Sequence, residues 1–227
     1  HVELPVCADA KDFFVQMNEQ LADEDVPVFA GKEWIRKCQE WKKNYPVTQP
    51  KHWEEDGKYA NVYAFIKYLS QNLPQGNMTV VSNGSACVVG SHNYVIQKEA
   101  RFLINSAVAS MGYGLPAAIG ACIATGRKTT ICLEGDGSIM MNLQELQTVL
   151  TNQLPIKIFV INNQGYHSIR QTQNNLFKEH CKIGIGPESG DLSFPDFSKL
   201  SEAFGYTYLE AHSNAQMKKM VDQALKI

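Results

Sequence analysis

The alternation of short apolar runs with helical segments after residue 58 is the feature that most constrains the fold of this chain. Short runs rich in β-branched residues are typical of buried strands, and the stretches between them have helical periodicity. We therefore expect an α/β fold with a doubly wound parallel sheet and helices on both faces. The expected strands are 78–82, 102–104, 129–133, 156–161 and 206–210, and the expected helices are 59–72, 117–125, 142–152, 195–204 and 213–226. Asn142 and Glu145 have the spacing of a capping box.

The first 58 residues have a different pattern. Residues 8–21 and 32–43 are expected to be helices because apolar side chains recur in them at helical spacing. Residues 44–58 contain two prolines and many charges, and are expected to form a linker or a strap across a surface. We divide the chain into a segment 1–27, a linker 28–58 and a main domain 59–227. Without an initial methionine or a closing strand, we expect the chain to be truncated at both ends.

Composition and charge exclude several classes of protein. The formal net charge of −2 gives no electrostatic basis for nucleic-acid binding. No apolar run is long enough to span a membrane, so we expect no membrane partner. Six cysteines are dispersed without a CxxC pair, which favours reduced thiols and a cytoplasmic location.

Two polar turns follow consecutive expected strands. The turn Gly135-Asp136-Gly137-Ser138 (the GDGS turn) comes after 129–133, and Asn162-Asn163 comes after 156–161, with 24 residues between Gly137 and Asn162. Because the carboxyl ends of parallel strands meet at one edge of the sheet, oxygens of Asp136 and Asn163 can converge on one cation. The Gly165 carbonyl can supply a third oxygen. Three protein oxygens suit Mg²⁺, which completes its octahedron with water and substrate phosphates.

The glycines of the GDGS turn allow phosphate groups to approach the backbone closely. Gly135 and Gly137 carry no side chain, and the amides near Gly137 and Ser138, together with the Ser138 hydroxyl, are available as donors. A metal site beside such donors predicts a cofactor that contains a diphosphate.

The GDGS…NN pattern resembles the thiamin diphosphate (ThDP) binding motif of the acetolactate synthase and pyruvate oxidase group. The similarity extends through residues 105–120 (NSAVASMGYGLPAAIG) and covers the chain from about Tyr59 to its end. It implies the C-terminal, pyrophosphate-binding domain of such an enzyme. More weakly, the N-terminal residues resemble the end of the preceding middle domain, so we interpret 1–27 as its tail.

The resemblance implies roles for individual residues. Asp136, Asn163 and the Gly165 carbonyl would bind Mg²⁺. Met111 would be the bulky residue that bends ThDP, and the Ala109 carbonyl would face its 4′-amino group. The diphosphate would be held by residues of two loops, namely Gly84, Ser85, Gly137 and Ser138.

For the whole enzyme, the resemblance implies decarboxylation of a 2-oxo acid, with pyruvate as the default substrate, and transfer of the acyl carbanion to an acceptor. It also implies a homodimer or homotetramer with the active site between subunits. In this family an activating glutamate comes from the pyrimidine-binding domain of a partner subunit. No part of this chain matches that domain, so we expect the chain alone to be inactive. The alternative is a simple 2-oxo acid decarboxylase or oxidase of the same family, and binding of a flavin by the middle domain is left open.

Other features leave further interpretations open. The loop 83–87 lacks the Gln-His pair usual in acetolactate synthases, which favours a relative that acts on another acyl donor or acceptor. His167 could shuttle protons, and Arg170 could bind a substrate carboxylate or form a surface ion pair. Residues 112–117 fit GxGxxA, with Glu134 20 residues beyond Gly114, which is also the pattern of a nicotinamide-dependent dehydrogenase. A ThDP-binding homologue without catalysis is the remaining alternative.

Overall fold

The computed structural model describes residues 3–22, 31–55, 58–177 and 182–227. These residues contain the strands Met78–Val81 (β1), Arg101–Ile104 (β2), Thr130–Gly135 (β3) and Ile156–Ile161 (β4). Helices α1 to α5 are Ala10–Leu21, Lys32–Asn44, Val62–Asn72, Gly84–Asn93 and Gly114–Ala124. Helices α6 to α10 are Asp136–Ile139, Glu145–Thr151, His167–Thr172, Phe197–Phe204 and Asn214–Lys226.

The four strands form one parallel sheet in the order β2-β1-β3-β4. From β1 the chain crosses to β2 on one side, and it then returns past β1 to form β3 and β4 on the other side. The direction of winding therefore reverses between β1 and β3, and ligands of open α/β sheets bind outside the carboxyl ends of the strands at such a point. The predicted parallel α/β fold is confirmed.

Alternating side chains of the strands divide the core into two layers. Val80 and Cys132 belong to a buried cluster that contains side chains of α5 and α7. Val81 and Leu133 belong to a second cluster that contains side chains of α3, α4 and α10. Because successive strand residues point to opposite faces, the helices cover both faces of the sheet, as predicted.

Two sequence-based predictions are wrong. Residues 206–210 are irregular and not a strand. Tyr206 packs against the core, and its hydroxyl donates to the Leu146 carbonyl at 2.9 Å, so side-chain packing fixes this segment without strand pairing. The capping box is also absent, because the Asn142 side chain donates to the Gly112 carbonyl at 2.6 Å and α7 begins at Glu145 without a side-chain cap.

The chain divides into two compact units, residues 1–46 and 47–227. The first contains α1 and α2, where Trp34 and Trp41 meet edge to face with ring centroids 5.6 Å apart. In the second, the start of the unit is tied down as a strap: Thr48 donates to Asn93 at 2.6 Å, and Asn214 donates to the His52 carbonyl at 3.0 Å. The division at residues 27 and 58 stays a prediction. Among the described residues, no helix has the length and apolar character needed to cross a membrane.

Candidate cofactor site

The carboxyl ends of β1, β3 and β4 meet at one cavity, where the winding of the sheet reverses. The cofactor and metal residues expected from the sequence line this cavity, with the exception of Ala109, and so does His167, whereas Arg170 does not. The residues brought together are Gly84, Ser85, Met111, Gly135, Asp136, Gly137, Ser138, Asn163, Gly165 and His167. Gly135 ends β3, and the others lie in the segments that follow the three strands and in the turn before α5. The parallel topology therefore makes neighbours of residues far apart in sequence.

Asp136 connects two of these loops. It is the first residue of α6 and is 2% exposed. Its Oδ1 accepts the Gly137 N–H at 2.8 Å, and its Oδ2 accepts the Gly165 N–H at 3.0 Å. Burial raises the pKa of the Asp136 carboxyl, and the backbone donors oppose that rise. Both loops therefore fix the carboxylate, and a bound cation would offset the cost of burying its charge.

Asn163 has an unpaired acceptor. Its Nδ2 donates to the Ser85 hydroxyl at 3.4 Å, whereas its buried Oδ1 has no hydrogen-bond partner among the described residues. An unpaired buried oxygen costs about 1–3 kcal/mol, and a hard cation would satisfy it. The Gly165 carbonyl accepts the His167 N–H at 3.1 Å and keeps a second lone pair. One carboxylate, one amide oxygen and one carbonyl form a donor set that suits Mg²⁺.

Metal centres built from several charged side chains do not fit this part of the chain. The described residues contain no group of three or more His, Cys, Asp or Glu side chains that could hold an ion. Structural zinc sites take four sulfur or nitrogen ligands, and calcium sites take six to eight oxygens. A small cation that shares its coordination with phosphate and water is the metal that these donors fit.

The phosphate-binding side of the cavity is made of backbone and small side chains. Gly84 begins α4 with a φ of +63°, and Asn83 before it makes no side-chain cap hydrogen bond. The first N–H groups of α4 are therefore open to an anion, which the helix dipole also favours. At Gly137 an added Cβ would lie 2.2 Å from the Tyr166 ring, so only glycine fits between the turn and that ring.

The Ser138 hydroxyl is bonded within the protein. It accepts the Gly112 N–H at 2.9 Å and lies 2.6 Å from the Ser82 hydroxyl. Both serines are buried. The hydroxyl thus ties the GDGS turn to the turn before α5, and its donation to a diphosphate stays a prediction.

The turn before α5 carries the residues expected near the organic part of the cofactor. Met111 is half-buried and lines the cavity. Ala109 has a left-handed φ of +51°, and its carbonyl accepts a hydrogen bond from the Asn83 side chain. Asn83 therefore links the loop after β1 to this turn.

Glu134 rules out the nicotinamide alternative. A ribose-binding acid must reach the ligand, but Glu134 is 0% exposed. Its Oε1 accepts the Leu115 N–H at 2.8 Å, in the first turn of α5. Burial raises the pKa of the Glu134 carboxyl. Glu134 therefore stabilises the first turn of α5 from within the core, and it is not part of the cavity lining.

Sequence reasoning missed several residues that line the cavity. They are Asn83, Ile161, Tyr166, Ser168 and Ile169. Each adjoins or lies within three residues of a predicted site residue, and that proximity is the signal that could have found them. His167, at the start of α8, is exposed at the rim of the cavity.

Comparison with known proteins agrees with this geometry. Residues 82–227 match the family model described as thiamine pyrophosphate enzyme, C-terminal TPP binding domain. The chain is 28% identical over 99% of its length to acetolactate synthase isozyme 3 large subunit of Escherichia coli K12, covering 38% of that protein. It is 34% identical to the isozyme 2 large subunit of the same strain and 32% identical to the acetolactate synthase large subunit of Cyanidium caldarium. Those two alignments cover 73% and 85% of this chain, and 30% and 31% of the relatives. The chain thus spans about a third of the length of these relatives.

Proposed function

Because the chain belongs to the thiamine pyrophosphate enzymes, as their C-terminal TPP-binding domain, we propose that the full-length protein uses ThDP and Mg²⁺ to decarboxylate a 2-oxo acid. The acyl group would then pass to an acceptor, as the names of the acetolactate synthase relatives lead us to expect, with pyruvate as the default substrate. The observation that carries this proposal is the buried, unpaired Asn163 Oδ1 in the cavity that Asp136 also lines.

The proposed cofactor contacts follow from the groups that line the cavity. Mg²⁺ would be held by Asp136, the Asn163 Oδ1 and the Gly165 carbonyl. The diphosphate would be held by the two glycine-containing loops, namely Gly84, Ser85, Gly135, Gly137 and Ser138. Bound ThDP supplies a nucleophilic carbon that adds to a carbonyl and can accept the electrons released by decarboxylation.

The residues of this chain would bind and orient the cofactor. Asp136 would offset part of the charge of the cation and Asn163 would help to place it, so that the cation could hold the diphosphate near the N-terminus of α4. Met111 provides an apolar surface under the bend that we propose for the cofactor, and the Ala109 carbonyl provides an acceptor for its aminopyrimidine. Binding that holds the cofactor and the substrate in the reactive geometry lowers the entropic part of the activation free energy.

Exposed apolar side chains around the cavity support a second subunit. Val108 is 77% exposed, Met141 54% and Ile169 45%. Val108 adjoins Ala109, Met141 lies against Gly112, and Ile169 lines the cavity. Clustered apolar exposure marks interaction surfaces, so we propose a homodimer or homotetramer in which the partner supplies the activating glutamate. The described cysteines are all free thiols, which supports a cytoplasmic location.

Binding experiments test the cofactor assignment directly. In a fluorescence titration of the full-length protein, ThDP with Mg²⁺ should bind and NADH should not. Asp136→Ala should abolish Mg²⁺-dependent ThDP binding and leave the fold intact. Asp196→Ala is the matched control, because Asp196 also accepts two backbone N–H groups, at the start of α9, outside the cavity lining. If Asp136→Ala kept its affinity for ThDP, the metal assignment would be wrong.

Activity measurements test the division of the active site. The full-length protein should turn over a 2-oxo acid, whereas residues 1–227 alone should not. Turnover by the purified 227-residue chain would contradict a site that needs an upstream glutamate. A panel of 2-oxo acids and aldehydes on the full-length protein would identify the donor and the acceptor.

A further inference from the structure

Arg170 in α8 uses its guanidinium group within the protein. Its side chain is only 21% exposed. Nη2 donates to the Gln164 carbonyl at 3.1 Å and to the Ile185 carbonyl at 3.2 Å, and Nη1 donates to the Asn163 carbonyl at 3.5 Å. The Glu188 carboxylate lies 3.2 Å from Nε. Of the two roles that the sequence left open, binding of a substrate carboxylate does not fit a group with these partners.

The guanidinium joins two backbone segments that pack very closely. A Cβ on Gly165 would lie 2.0 Å from the Ile185 carbonyl oxygen, and a Cβ on Gly186 would lie 2.3 Å from the Gln164 carbonyl oxygen. The Tyr166 N–H also donates to the Ile185 carbonyl, at 3.1 Å. Because one Nη2 donates to a carbonyl of each segment, a single cation bonds to both and stabilises their contact.

The bond to Gln164 also fixes the loop that carries the proposed metal ligands. The Gln164–Gly165 peptide bond is trans, so the Gln164 carbonyl and the Gly165 N–H of this planar group point in opposite directions. Arg170 bonds to the carbonyl on one side, and the Asp136 Oδ2 accepts the N–H at 3.0 Å on the other. Gln164 has a left-handed φ of +55°, which is uncommon for a residue other than glycine and needs such support.

We infer that Arg170 is a positioning residue for the metal loop: by fixing the Gln164–Gly165 peptide group and the Asn163 carbonyl, it holds the Asn163 side chain and the Gly165 carbonyl where they can bind Mg²⁺ together with Asp136. This inference rests on the proposed function. Arg170 does not touch the cofactor or the substrate in this role. A lysine could not replace it fully, because one ammonium group cannot reproduce a planar fork that reaches three carbonyls.

The matched experiment measures the Mg²⁺ requirement of ThDP binding in the full-length protein. At saturating ThDP, Mg²⁺ is titrated while bound cofactor is followed by fluorescence, for the wild type, Arg170→Ala, Arg170→Lys and Arg127→Ala. Arg127 is the control, because it is an exposed arginine that donates to one backbone carbonyl, that of Asn152 at 3.1 Å, away from the cavity. Removing residues that orient metal ligands costs about 10–100-fold in affinity. We therefore expect the Mg²⁺ concentration needed for half-maximal ThDP binding to rise about 10–100-fold in Arg170→Ala and less in Arg170→Lys. In Arg127→Ala it should change by less than about twofold.

Chemical rescue separates positioning from a general loss of structure. Guanidinium ion at low millimolar concentration should lower the Mg²⁺ requirement of Arg170→Ala and leave that of Arg127→Ala unchanged. If the wild type bound no ThDP, the proposed function would fail. If the wild type bound ThDP and Arg170→Ala kept the wild-type Mg²⁺ requirement, only the role of Arg170 would be wrong. Should Arg170→Ala not fold, Arg170→Lys decides, and a wild-type Mg²⁺ requirement in that variant would overturn the inference.

Discussion

Replacing Gly114 with alanine should destabilise the domain strongly, whereas the same change at Gly120 in the same helix should stabilise it. Gly114 is the first residue of α5 and lies directly over Glu134. Gly120 is exposed on the outer side of α5. The two substitutions add the same methyl group to one helix and differ only in what that group meets.

The structure gives the expected magnitudes. At Gly114 the new Cβ would lie 2.3 Å from the Glu134 Oε1 and 2.8 Å from the Ser82 Cβ, where ordinary contacts begin at 3.4 Å. Both neighbours are fully buried and cannot move aside, and overpacking of this kind costs about 1–3 kcal/mol. Displacing Glu134 also breaks its bond to the Leu115 N–H, which costs about 1–3 kcal/mol more. At Gly120 nothing lies within 4 Å, and alanine should add about 0.5–1 kcal/mol of helix stability.

Urea unfolding followed by far-ultraviolet circular dichroism measures both effects. Gly114→Ala should unfold at a lower urea concentration than the wild type, and Gly120→Ala at a higher one, with unchanged slopes. A Gly114→Ala midpoint equal to or above that of the wild type would refute the reasoning. Such a midpoint would mean that the Glu134 side chain can move away from α5 and make room for the added methyl group.

Two further variants test the loop contacts and the pH dependence. Gly186→Ala places a Cβ 2.3 Å from the Gln164 carbonyl oxygen and should weaken Mg²⁺-dependent ThDP binding about 10-fold or more. Gly184 also has a positive φ, but a Cβ there meets nothing within 4 Å, so Gly184→Ala should lower the stability and leave ThDP binding unchanged. Equal binding losses in the two variants, by titration, would contradict the close packing at Gly186. Burial raises the pKa of Tyr206 to about 12, so its contribution to stability is complete below the unfolded pKa near 10 and is lost as the pH rises from there towards 12. Between pH 10 and 12 the urea midpoint should fall in the wild type and fall less in Tyr206→Phe. The same dependence of the midpoint on pH in both proteins would argue against a raised pKa of Tyr206.

The fold was largely predictable, because burial on both faces of a parallel sheet leaves apolar runs that are visible in the sequence. The run 129–133 is recognised for this reason, and its residues 130–133 form the first part of β3. The segment 206–210 pairs with none of the four described strands, and packing of Tyr206 against the core decides its conformation instead. Helix α4 was missed because its small residues and two glycines give no helical periodicity.

The positions of the site residues were predictable, but the use of each side chain was not. Spacing placed Asp136 and Asn163 at one edge, because the topology of a parallel crossover is nearly fixed. Spacing cannot tell which of several nearby groups takes each donor or acceptor. Asn142 could cap a helix, yet it bonds to Gly112, and Ser138 could face a phosphate, yet its hydroxyl bonds to Ser82. These choices depend on atoms brought together only by folding.

The charges around the cavity limit how a 2-oxo acid can be recognised. No lysine or arginine occurs among the described residues that line the cavity, and the nearby Arg170 is bonded to backbone carbonyls and paired with Glu188. A substrate carboxylate that approaches this surface meets Met111, Tyr166 and Ile169 but no cation from the described lining. An unpaired carboxylate in apolar surroundings is destabilised, and loss of neutral CO₂ would pass its electron pair to the electron sink that bound ThDP supplies. If the proposed function holds, the described lining of this half of the site favours decarboxylation by leaving the carboxylate unpaired.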